Sequence, residues 1–133
     1  MSLCSGCFDG LHAGHVAYLR AAYALGRGRE ELVVVVADDE YIRRVKEREP
    51  VWSLYDRMRV IEELRCVSAV CIHGPQGVAD IVHQLKPRLF VKGKDWAITS
   101  SWLQRFCASV GCELVIVDSG IQRHTADALP AHV

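Results

Sequence analysis

Leu32-Val33-Val34-Val35-Val36-Ala37 is an unbroken apolar run, rich in β-branched residues, in the first third of a 133-residue chain. A strand with one wet face alternates polar and apolar positions. This run offers no polar face, which fits a strand covered on both sides, as in parallel sheets. Upstream, Leu3 to Cys7 reads as a short strand, followed by a turn-rich stretch and a helix from about His15 to Leu25 with Val16, Leu19 and Tyr23 on one face. Downstream, Asp38, Asp39 and Glu40 open and Arg43, Arg44 and Lys46 close a short helix, a charge order that suits the helix dipole. Ser53 and Asp56 read as a capping box for a helix through Leu64, with Leu54, Met58, Ile61 and Leu64 as its inner stripe. The rhythm then repeats. Val67 to Ile72 is a strand, Val78, Ile81, Val82 and Leu85 mark a helix stopped by Pro87, and Leu89 to Val91 starts another strand. Leu103, Phe106, Cys107 and Val110 line a further helix ending at Gly111, and Glu113 to Val117 is a last strand. Five strands separated by short helical crossovers predict one α/β domain over residues 1–133: a five-stranded parallel sheet with helices on both faces.

Composition excludes several classes. Half the residues are apolar and 24% are charged, which rules out a disordered chain, and sixteen basic residues balance sixteen acidic ones, so net charge gives no support to nucleic-acid binding. No apolar run approaches the roughly 20 residues that span a bilayer, and no secretory signal opens the sequence, so a cytoplasmic protein without membrane contact is expected. The six cysteines, Cys4, Cys7, Cys66, Cys71, Cys107 and Cys112, lack a second zinc-type pair to match Cys4 and Cys7, and are expected to be reduced thiols acting as small hydrophobes.

Open parallel sheets bind ligands beyond the carboxyl ends of their strands. Three segments qualify: Gly6 to His15, Lys92 to Trp96, and Asp118 to Thr125. In the first, His12 and His15 flank Gly14 where a strand passes into a helix. Exposed amides and the helix dipole attract anions there, and two imidazoles could add donors to phosphate oxygens.

Cys7-Phe8-Asp9-Gly10-Leu11-His12-Ala13-Gly14-His15 resembles the H-x-G-H signature of the cytidylyltransferase-like nucleotidyltransferases, and the similarity runs along nearly the whole chain. Leu32 to Asp39 resembles that family's second strand and acidic turn, Tyr55-Asp56-Arg57-Met58 its arginine-bearing helix start, and Phe90-Val91-Lys92-Gly93-Lys94-Asp95-Trp96 its loop near the base. The branch it looks most like activates heptose 1-phosphate with ATP or glycerol 3-phosphate with CTP. The resemblance implies a Rossmann-like fold and in-line attack by a phosphorylated sugar or alcohol on the α-phosphorus of a nucleoside triphosphate, with Mg²⁺ bridging the phosphates and pyrophosphate leaving. It implies catalytic roles for His12, His15, Lys46 and Arg123; nucleotide contacts from Gly6, Cys7, Phe8, Gly14, Lys92, Gly93, Asp95, Trp96 and Thr125; acceptor contacts from Asp9 and Arg57; no protein-held metal; and a homodimer.

Two departures matter. Where the family presents a serine and two threonines before its last helix, this chain has His124-Thr125-Ala126, which motivates a rival: a nucleotide-binding module that has lost turnover. Glu49-Pro50 stands where the heptose enzymes tend to show Arg-Pro, which points to a different phosphorylated acceptor unless Arg48 compensates. A zinc-dependent hydrolase using Asp9, His12 and His15 is a further rival. His73, His83 and His132 belong to no constellation.

Overall fold

The computed structural model describes residues 1–94 and 100–118. Its elements run β1 (Ser2–Gly6), α1 (Ala13–Leu25), β2 (Leu32–Ala37), α2 (Asp39–Lys46), α3 (Leu54–Glu62), β3 (Ala69–His73), α4 (Ala79–Leu85), β4 (Leu89–Gly93), α5 (Ser100–Ser109) and β5 (Glu113–Val117). All four strand pairings are parallel and the order is β3-β2-β1-β4-β5, so the expected α/β sheet is present. The chain goes outward from β1 to β3, returns to the other side of β1, and continues to β5. That reversal opens a crevice between the carboxyl ends of β1 and β4, where this class of sheet takes its ligands.

β2 is buried at every residue, and its alternate side chains feed two cores. Val34 and Val36 join Cys4, Leu19, Ala22, Ile61 and Val91 on the face covered by α1 and α3. Val35 joins Leu3, Val82, Phe90, Leu103 and Cys107 on the face covered by α4 and α5. The α3 stripe lies as expected, with Ile61 buried and Leu54, Met58 and Leu64 packed beside it. On α1 the inner face is rotated from the one read in the sequence: Leu19 and Ala22 are buried, while Tyr23 is 38% exposed. Tyr18 turns inward, its hydroxyl donating to the Val91 carbonyl of β4. The six cysteines are free thiols, three of them buried, and burial pushes the Cys4 thiol up to about 12, as suits a residue that packs rather than reacts. Among the described residues no helix is long and apolar enough to cross a membrane.

Truncating Leu19 to alanine is expected to lower the free energy of unfolding by about 2–5 kcal/mol, against under about 1 kcal/mol for Tyr23→Ala on the same helix, as read by urea denaturation.

Candidate active site

The strand-to-helix turn after β1 is built by its own side chains. Phe8 takes a left-handed φ of 50° and Gly10 one of 91°, which folds the chain sharply back toward α1. The Phe8 ring lies over Gly6, where an added Cβ would meet it at 3.1 Å, so only glycine fits without displacing the ring. The same ring meets His15 edge-on at 5.3 Å.

His12 is the N-cap of α1, two to three residues ahead of the expected start of the helix. Its Nδ1 accepts from the Gly14 N–H at 3.1 Å, and its own backbone N–H donates to His15 Nδ1 at 3.2 Å. The arrangement is a capping box written with two imidazoles in place of Ser and Glu. Because a backbone N–H can only donate, both Nδ1 atoms are acceptors, and in the neutral rings the proton sits on Nε2. The rings stack, centroids 3.8 Å apart and planes 21° from parallel, with the His12 Nε2 buried. The Gly14 amide, expected to be open to an anion, is instead engaged by His12.

Around this turn lies a cavity of about 660 Å³ at the carboxyl end of the sheet. Gly6, Cys7, Phe8, Asp9, His15, Lys46 and Lys92 all line it, together with Arg48, His73 and Trp102. Lys46 stands exposed at the end of α2, whereas the Lys92 ammonium is buried and donates to Ser5 Oγ at 2.8 Å. Gly93 ends β4 in line with Val117 of β5. Asp95, Trp96, Arg123 and Thr125 lie outside the described residues.

Arg57 and Asp9 occupy different posts from those the resemblance implied. Arg57 is 2% exposed, and its Nε donates to the Trp52 carbonyl (3.0 Å), Nη1 to the carbonyls of Cys7 (2.8 Å) and Ala37 (2.7 Å), and Nη2 to Asp39 Oδ1 (2.7 Å). Four of five guanidinium N–H groups are thus spent on the protein, which makes Arg57 a clamp on strand ends. Asp9, 1% exposed, accepts from Arg48 Nη1 at 2.7 Å and from the Val51 and Trp52 amides at 2.8 Å each. Burial pushes its carboxyl up, but the Val51 amide, Arg48 and the Trp52 amide override it and hold the group below its ordinary 3.8. Asp9 therefore anchors the 48–52 segment to the turn. Arg48 is engaged in that anchor, and Glu49 points away to Arg43 at 2.9 Å, so the acid at this position does not stand among the residues lining the cavity.

Among the described residues no three His, Cys, Asp or Glu side chains are placed to hold a metal ion, which leaves the hydrolase rival without its ligand set. The sequence pattern gives no sign of Tyr41 and gives Arg48 and Asp39 other tasks, because the roles of all three depend on partners 18 or more residues away.

A model of the cytidylyltransferase-like family matches residues 3–125, and the chain belongs to that family of nucleotidyltransferases. It is 35% identical over 113 residues to an FAD synthase from Pyrococcus horikoshii, covering 84% of this chain and 74% of that protein. It is 42% identical over 93 residues to the bifunctional protein HldE of Coxiella burnetii, covering 69% of this chain but 19% of HldE, so the chain spans about a fifth of those relatives' length. A solved lipopolysaccharide core biosynthesis protein from Thermoplasma volcanium superposes with a TM-score of 0.73 at 28% identity, over 92% of this chain and 96% of the other.

Replacing Arg57 by leucine is expected to cost about 3 kcal/mol or more of stability, because Asp39 and three carbonyls lose their donor. Asp9→Asn is expected to be less stable than the parent at pH 7. A depressed folded-state value favours the ionised form, so Asp9's contribution is present above its unfolded value and is lost as pH falls through 3.8 and below. The gap between the two proteins, followed by chemical denaturation from pH 7 downward, should therefore narrow only below about pH 4.

Proposed function

We propose that the protein transfers AMP or CMP from ATP or CTP to a small phosphorylated sugar or alcohol. The observation that carries this is the pair of stacked imidazoles, each with Nδ1 fixed to a backbone amide, in which His12 packs against the His15 ring and His15 lines a cavity that also holds Lys46 and Lys92. An oxygen of the acceptor's phosphate attacks the α-phosphorus, the bond from that phosphorus to the bridging oxygen of the β-phosphate breaks, and pyrophosphate leaves with the bond's electron pair. A phosphomonoester is already ionised at neutral pH, so no general base is required. What the site must supply is placement and charge stabilisation, and preorganised N–H donors and lysines supply both.

The described cavity lining offers one carboxylate, Asp9, and its oxygens are taken by Arg48 and two amides. These residues do not build a Mg²⁺ site, and Mg²⁺ enters the proposal as part of the magnesium–nucleotide substrate. The acceptor differs between the relatives: some bear the name FAD synthase and others HldE. A flavin phosphate therefore belongs beside glycerol 3-phosphate and sugar 1-phosphates in any assay.

Pyrophosphate release from ATP and from CTP with that panel is the direct test. Release with at least one pair is expected, and tight nucleotide binding without release from any acceptor would identify a binding module instead. His15→Ala should lower turnover by roughly two to three orders of magnitude, since it removes a donor to the developing charge; a near-parental rate would count against the role.

A further inference from the structure

Among the residues lining the cavity, His73 is the one imidazole that the proposed transfer does not use. It ends β3, next to Ala37 of β2, and is 5% exposed. Its backbone is tied down, the carbonyl accepting from the Asp38 N–H at 3.0 Å, and the edge of its ring meets Tyr41 of α2 at 4.7 Å and 85°. Arg44 of the same helix donates to the Pro75 carbonyl just beyond, which links α2 to the loop after β3. The ring's Nδ1 lies 2.8 Å from the Gly74 carbonyl, which can only accept, so Nδ1 carries the proton and Nε2 the lone pair. Burial pushes its pKa down, the Gly74 carbonyl and Asp38 oppose that and the nearby Lys92 adds to it, so the ring is neutral at pH 7. Nε2 takes no hydrogen bond from any described residue.

The cavity lining thus carries two kinds of group. Lys46 and Lys92 bring positive charge and N–H donors, suited to phosphate oxygens, and His73, near enough to Lys92 to feel its charge, brings a fixed acceptor that phosphate oxygens have no use for. We propose that His73 is a specificity residue for the acceptor substrate: Nε2 accepts a hydrogen bond from a hydroxyl or N–H on the body of the phosphomonoester while its phosphate meets the lysines. This rests on the transfer reading above and narrows its substrate to phosphomonoesters carrying a donor group. A site built around a buried acceptor rejects an analogue that leaves that acceptor unpaired.

Two matched pairs test it by calorimetric titration of the full chain: glycerol 3-phosphate against propyl phosphate, and glucose 1-phosphate against cyclohexyl phosphate. The unaltered protein should prefer the hydroxylated member of at least one pair by about tenfold. His73→Phe should bring that ratio to near one while leaving the hydroxyl-free member within about twofold, and His73→Gln, which keeps an acceptor, should recover part of it. Equal affinities within both pairs, no binding of any of the four probes, or a preference that survives in His73→Phe each overturns the proposal. Should the phenylalanine variant not fold, long-range ¹H–¹⁵N spectra of the unaltered protein give the answer: the His73 Nε2 resonance moves with glycerol 3-phosphate and not with propyl phosphate, and a resonance still under both overturns it. Failure of the transfer reading has a different signature, absent pyrophosphate release with these binding preferences intact.

Discussion

The Arg57 guanidinium sits where β1 and β2 stop, donating to the carbonyls of Cys7, just past β1, and Ala37, the last residue of β2, and to Asp39 at the first position of α2. The carboxyl end of a parallel sheet is a row of carbonyls with no further strand to receive them, and in a buried crevice water is not there to substitute. A single fork of N–H groups answers several of these needs at once. Taking a charge out of water is costly unless it is paired and fully hydrogen-bonded, and the carboxylate of Asp39 together with three carbonyls meets that condition. The cavity takes its shape from this knot. Cys7 opens the turn that holds the histidines, Ala37 leads into α2 with Lys46 at its far end, and Trp52 ends the segment that Asp9 fastens from the other side.

Charge is distributed around the cavity by a division of labour. The two acids nearest the turn, Asp9 and Asp39, are consumed by Arg48 and Arg57, so neither opposes an incoming anion with a bare carboxylate. Lys46 and Lys92 bring their amino groups to the lining, and His15, aligned by its partner His12, adds its ring at the helix start. A net charge of zero across the molecule is compatible with a locally electropositive cleft because the compensating acids lie elsewhere, Glu49 against Arg43 and Glu30 against Arg88 being examples.

Much of the fold was legible because it rests on periodicity. The unbroken run Leu32–Ala37 announced a parallel sheet, and the spacing of Leu54, Met58, Ile61 and Leu64 announced the buried face of α3. The inner face of α1 was harder, since alanines and tyrosines give a weak pattern and Tyr18 is drawn inward by a carbonyl of β4, far away in sequence. In the site, the histidine pair could be found from local context, a strand, a glycine and a helix start. Arg57 and Asp9 could be singled out, but their tasks could not, because whether a guanidinium faces a ligand or three carbonyls is decided by elements that meet only after folding. His73 carries no local signal at all; its surroundings come from β2 and α2.

The two-imidazole cap at the start of α1 ties chemical readiness to local helix order. In most helices the terminal turn frays freely while the rest of the domain stays intact, and such openings are far cheaper than global unfolding. Here the amide of Gly14 orients one ring and the amide of His12 orients the other, so a single frayed turn releases both rings from their alignment. Mild warming would then loosen both rings well short of the melting transition, and whatever ligand stills that turn would realign them, with no change visible in the sheet beneath.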